Sequence, residues 1–125
     1  MQSFLRGLGA WSSVKKGKPM GRKHLGELEQ LVLMAVLQLK HEAYGTSLLR
    51  ELAERGGRKV SPGSLHATLD RLEGKGFVVS RAGDPTPGRG GRPKRFLTVT
   101  AEGLAALRKA RERWTRMTEG IEEVL

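Results

Sequence analysis

The chain has 125 residues, enough for one domain with a tail but not for a second independent core. Twenty-three Lys and Arg face thirteen Asp and Glu, a formal charge of +10 at pH 7, so the favoured partner is a polyanion, nucleic acid ahead of an anionic membrane. Cysteine is absent, which excludes disulfides, thiolate metal sites and cysteine nucleophiles, and the longest apolar run, Leu31 to Leu37, falls far short of the about 20 residues that span a bilayer.

Residues 1 to 24 carry Arg6, Lys15, Lys16, Lys18, Arg22 and Lys23 and no acid. Phe4, Leu8 and Trp11 share helical spacing, but Gly7, Gly9, Ser12 and Ser13 weaken a helix, so the segment reads as a basic, flexible arm. No apolar stretch here is followed by a small-residue cleavage site, and the expected location is cytoplasmic.

The pattern changes at residue 25. Leu25, Leu28, Val32, Ala35, Val36 and Leu39 share one helical face, broadened by Leu31, Leu33 and Leu37, which predicts a core helix. A short connection over 41 to 45 leads to a second helix in which Tyr44, Leu48, Leu49 and Leu52 recur at helical spacing until Gly56-Gly57 stops it. Ser61-Pro62 opens a third helix: serine caps free N–H groups, and proline in the first turn loses no hydrogen bond. Leu65, Leu69 and Leu72 face inward, and Ser64, His66, Ala67, Thr68, Asp70, Arg71 and Lys75 are expected to point elsewhere, before Gly74 and Gly76 end the helix.

Phe77 to Val79 and Phe96 to Val99 read as two strands flanking the basic Pro- and Gly-rich segment DPTPGRGGRPK. Thr100 caps a last helix with an acid in its first turn, and Leu107, Ala110, Trp114, Met117, Ile121 and Val124 step along it by threes and fours. One helix cannot bury such a seam alone, so self-association is expected. The whole order predicts a mainly α fold with a small β-hairpin, a winged helix-turn-helix over residues 25–100, with a C-terminal dimerisation helix over 101–125.

In such a fold the third helix enters a DNA groove while the hairpin loop grips the flanking backbone. Ser61, Gly63 and Ser64 let backbone N–H groups approach a phosphate closely. His66, Thr68 and Arg71 are the candidates for base-edge or phosphate contact, Arg71 foremost because a guanidinium can pair with guanine through two hydrogen bonds, and Lys75 adds charge one turn on. Arg89, Arg92, Lys94 and Arg95 supply the wing, where GRGGRPK approaches the minor-groove motif called the AT-hook. Trp114 on the seam is expected to pack between subunits or to line a site for a flat apolar effector. No GxxxxGK[ST], GxSxG or other framed catalytic motif occurs, and His24, His41 and His66 lack ligand-like spacing, so neither enzyme, metal nor cofactor is expected. The rival reading is a basic RNA-binding or ribosome-associated protein, against which the six Phe, Trp and Tyr offer few stacking platforms.

From Leu25 to Leu107 the order of segments resembles the PadR family of transcriptional regulators. The resemblance is carried by Ala43-Tyr44-Gly45, by the run from Ser61 to Glu73, by Gly91-Arg92-Pro93-Lys94-Arg95-Phe96, and by Leu97 to Gly103. It implies a homodimeric winged-helix protein, commonly a repressor of nearby genes released by a small molecule, with the C-terminal helices of two subunits packed together. Members commonly carry tyrosine where this chain has His66, so a phosphate contact made by a phenol would fall to an imidazole. A single C-terminal helix in place of a longer helical domain leaves less room for an effector.

Overall fold

A computed structural model describes residues 24–84 and 93–125. The elements run α1 (Glu27–Leu39), a 3-10 turn (Lys40–Glu42), α2 (Gly45–Glu54), α3 (Pro62–Gly74), β1 (Val78–Ala82), β2 (Arg95–Val99), α4 (Ala101–Thr118) and a last 3-10 turn (Glu122–Val124).

Local signals start each helix. At α1 the Glu29 carboxylate reaches back to accept the Gly26 N–H at 2.8 Å. At α2 the Ser47 hydroxyl oxygen accepts the Tyr44 N–H at 3.1 Å. Ser61 caps α3, its Oγ accepting from the Ser64 N–H at 3.1 Å, with Pro62 in the first turn where no donor is lost.

Helices α1, α2 and α3 close on one apolar core built from Val32, Leu33 and Val36, Leu48 and Leu52, and Leu65, Leu69 and Leu72. The hairpin seals its edge with Val78 and Leu97. Its strands are antiparallel in the register Val78↔Val99 to Ala82↔Arg95. A third segment joins them: Tyr44 bridges Phe96, and the Leu97 N–H donates to the Ala43 carbonyl at 3.0 Å. The turn before α2 is thereby tied to the hairpin, and α3 packs on α1, α2 and β1.

The return to α4 is tight. Thr100 Oγ1 accepts from the Gly103 N–H at 3.0 Å and donates to the Gly76 carbonyl at 2.7 Å, while the Thr100 N–H donates to the Phe77 carbonyl at 3.0 Å. These bonds lay the first turn of α4 directly on the backbone of Phe77.

Three expectations are corrected. Leu37 does not broaden the buried face of α1; it is exposed together with Met34. The last helix does not reach Val124: it ends at Thr118, and Gly120, at φ 89°, takes a left-handed conformation that sets Ile121 and Val124 beyond the helix axis. Leu107 and Ala110 pack within their own subunit, Ala110 buried and Leu107 half-buried against the core. Of the proposed seam, only Trp114 and Met117 remain on α4 as exposed apolar side chains, at 65% and 74% exposure. The architecture is a winged helix: mainly α, with a two-stranded hairpin following the third helix.

Candidate nucleic-acid interface

Helix α3 presents its N-terminal turn and one long face to solvent. Ser61, Pro62, Gly63, Ser64, His66, Ala67 and Arg71 are all exposed. The first turn of any helix leaves N–H groups without intrahelical partners, and here small side chains keep access to them open. Ser61, Gly63, Ser64, His66 and Arg71 thus share the open side of one element, as the sequence suggested.

Thr68 does not belong with them. It is 1% exposed, its Oγ1 donates to the Ser64 carbonyl at 2.9 Å, and it accepts from Arg71 Nη2 at 3.2 Å. Threonine lies on the leucine face of α3 because the carbonyl one turn back satisfies its hydroxyl, and its place is under Arg71 instead of at a base edge.

Lys75 is also committed inside the protein. Its ammonium reaches both Glu29 oxygens at 2.9 Å and donates to the His24 carbonyl at 3.1 Å. The phosphate role expected of Lys75 is replaced by a cross-link between the end of α3 and the start of α1.

Glu29 is the residue that sequence reasoning missed. It is 6% exposed, yet charged: burial pushes its pKa up, but the Gly26 N–H, the Lys75 ammonium and the Arg71 guanidinium outweigh that and hold it below the ordinary 4.5. In sequence it is one acid among several near a helix start, and its cationic partners lie more than forty residues away.

Because the unfolded chain takes up this proton at a higher pH than the folded protein, the stability contributed is complete above about pH 4.5 and is lost as pH falls through the lower folded value. The gap in urea midpoint between wild type and Glu29→Gln is therefore expected to be widest near neutrality and to close on acidification. A gap unchanged from pH 7 to about pH 3 would contradict the charged state of Glu29.

The wing is braced against α3 by Arg95. Its Nη2 lies 2.7 Å from Glu73 Oε1 and 3.2 Å from Asp70 Oδ1, and Ser80 Oγ donates to the same Glu73 carboxylate at 3.1 Å. Arg95, expected to grip phosphate, instead keys the hairpin to the helix. Lys94 lies 4.1 Å above the Tyr44 ring, and Arg81, overlooked in the sequence, lies 4.8 Å from the Phe96 ring centroid. The two rings meet edge to face at 5.4 Å, forming an aromatic base for the wing. Arg89 and Arg92 lie outside the described residues, as do the basic segment 1–23 and Trp11.

Helices α1 and α4 line an open groove of about 390 Å³ whose lining includes Met34, Leu37, Leu107 and Trp114 together with Arg108 and Arg111. Among the described residues no cluster of His, Asp and Glu is arranged to hold a metal ion, and no helix is long and apolar enough to cross a membrane.

Known proteins share this fold. Residues 32–109 match the model of the transcriptional regulator PadR-like family. A curated relative, the transcriptional regulator Rv3488 of Mycobacterium tuberculosis (strain ATCC 25618 / H37Rv), is 42% identical over 73 residues, 57% of this chain; the match spans 62% of that relative's length. The crystal structure of a PadR family transcriptional regulator from Eggerthella lenta DSM 2243 superposes with a TM-score of 0.58 at 30% identity, covering 78% of this chain and 85% of the other. An X-ray structure of a PadR-like transcription factor from Bacteroides fragilis has the same fold, with a TM-score of 0.61 at 23% identity over 85% of this chain and 95% of the other. On the extent of the family match, borne by the helices, the hairpin and the start of α4, this chain belongs to the PadR-like family of transcriptional regulators.

Proposed function

We propose that the protein is a cytoplasmic, sequence-specific repressor that binds a pseudo-palindromic operator in duplex DNA as a homodimer. The observation that carries this reading is the open face of α3, from Ser61 to Arg71, beside a hairpin locked to the same helix through Arg95. A helix offered next to a braced wing suits a groove and its flanking phosphates at once. Ser61, Gly63 and Ser64 approach the backbone, His66 stands at the groove edge, Arg71 reads a base, and Lys94, with Arg89 and Arg92, grips the phosphates.

The second subunit docks on Trp114 and Met117 of α4, which the chain leaves exposed beside Met34 and Leu37 of α1. A protein dimerised there presents two α3 helices related by a two-fold axis, and its operator has the same symmetry. The groove against Trp114 is the place for a small apolar effector, which releases DNA only if it favours a spacing of the reading helices unlike the bound one.

The test is selection of bound fragments from genomic DNA, followed by competition of the tightest duplex against a structured RNA of equal charge. Retention of the duplex at about 0.15 M salt supports the reading, since charge alone does not separate the two polymers. Preferential displacement by the RNA would favour an RNA-binding role.

A further inference from the structure

Arg71 is held from beneath at two points. Its Nη2 donates to Thr68 Oγ1 at 3.2 Å, and its Nε lies 3.6 Å from Glu29 Oε2. Neither acceptor is free to wander. Thr68 is buried on the core face of α3 and spends its own proton on the Ser64 carbonyl, which turns its lone pairs toward Arg71. Glu29 is fixed by the Gly26 N–H and by the Lys75 ammonium.

A guanidinium is planar and carries five N–H donors in a rigid fork. With Nε facing Glu29 and one Nη2 hydrogen directed at Thr68, the plane of the group is set. The uncommitted edge consists of Nη1 and the second Nη2 hydrogen, on a side chain 56% exposed. Two parallel donors on one edge match the O6 and N7 acceptors of guanine in the major groove.

We propose that Thr68 and Glu29 are positioning residues that pre-orient Arg71 for a guanine, so that discrimination rests on buried side chains that touch no DNA. The inference depends on α3 being the reading helix. A long side chain ordered before binding loses less freedom on contact and tolerates a misplaced acceptor less well. Loss of the bracket therefore affects the correct sequence more than an unrelated one.

Thr68→Val is the sharpest probe, because it removes the hydroxyl while keeping the shape of the side chain and the Glu29–Lys75 pair. Affinities for the tightest selected genomic duplex and for a scrambled duplex of equal length are measured in wild type, Thr68→Val, Arg71→Ala and the double variant. Arg71→Ala is expected to lower the ratio of the two affinities by about tenfold or more. Thr68→Val is expected to lower it by about fivefold at an unchanged salt slope, and to add nothing once Arg71 is gone. Thr68→Ser, which keeps the hydroxyl, restores the ratio, and Glu29→Gln lowers it.

A Thr68→Val protein with the wild-type ratio overturns the proposal. So does one that weakens both duplexes in step, which is the mark of a purely structural role, or a double variant in which the two losses multiply. An Arg71→Ala protein that keeps its sequence preference would remove the parent reading of α3 as well, whereas a normal Arg71→Ala loss with an inert Thr68→Val removes only the bracket.

Discussion

Replacing Trp114 by glutamate is expected to leave a folded monomer whose operator affinity is lower by about two orders of magnitude or more. The side chain is 65% exposed in the isolated subunit, so little intramolecular packing is lost and the melting temperature should move by no more than a few degrees. In the proposed dimer the same position would lie against the partner, and an unpaired charge buried there costs several kcal/mol. Met34 and Leu37 line the same groove as Trp114, and Met117 is exposed further along α4. Two weak half-site contacts then no longer add through a shared body. Sedimentation equilibrium and operator titration check both halves of this expectation. A variant that still sediments as a dimer would show that subunits meet elsewhere.

Gly103→Ala is expected to destabilise the fold by about 3 kcal/mol, a large part of the 5 to 15 typical of a single domain. A Cβ at Gly103 would collide with the Phe77 carbonyl oxygen and lie 3.0 Å from its carbon. Both partners in that collision are backbone, so no side chain can swing aside. Relaxation is also blocked, because Thr100 is pinned to Gly76, Phe77 and Gly103 by three hydrogen bonds. Gly63 on α3 makes the contrast: nothing lies within 4 Å of a Cβ there, and alanine should leave stability equal or slightly raised through helix propensity. Urea unfolding of both variants gives the comparison, and a loss at Gly103 below about 1 kcal/mol would contradict the close approach of α4 to the Phe77 backbone.

What the sequence reveals divides along the range of the interactions. The caps Ser61 and Thr100 each accept an N–H three residues on, and they locate the starts of α3 and α4. The leucines of α3 have helical spacing, and the core face follows from them. Thr68 shares that spacing with Leu65 and Leu72, but its polarity suggests an outward position; only the hydrogen bond to the Ser64 carbonyl makes burial tolerable.

Lys75 and Arg95 look like phosphate ligands because their acids are remote in sequence. Glu29 is 46 residues from Lys75, while Asp70 and Glu73 lie 25 and 22 residues from Arg95. A cation in a basic chain carries no mark of which carboxylate the fold will bring to it. The seam of the last helix fails for a different reason. Its spacing continues through Ile121 and Val124, but periodicity does not register a terminator, and Gly120 was the available sign that the helix stops.

Arg89 and Arg92, proposed to grip phosphates from the wing, would act through their charge. Phosphate contacts of that kind strengthen binding to every duplex and are screened by salt, so they do not decide between sequences. Specificity is expected to rest on α3 and, in the proposed homodimer, on its two-fold symmetry.

The most direct measurement is therefore a footprint with a matched titration on a selected genomic fragment at about 0.15 M salt. Two bound subunits should protect two half-sites about 34 to 36 Å apart, with affinity about a thousandfold or more above that for a scrambled duplex. A single protected site, or equal affinity for both duplexes, would contradict a dimer that reads DNA through α3.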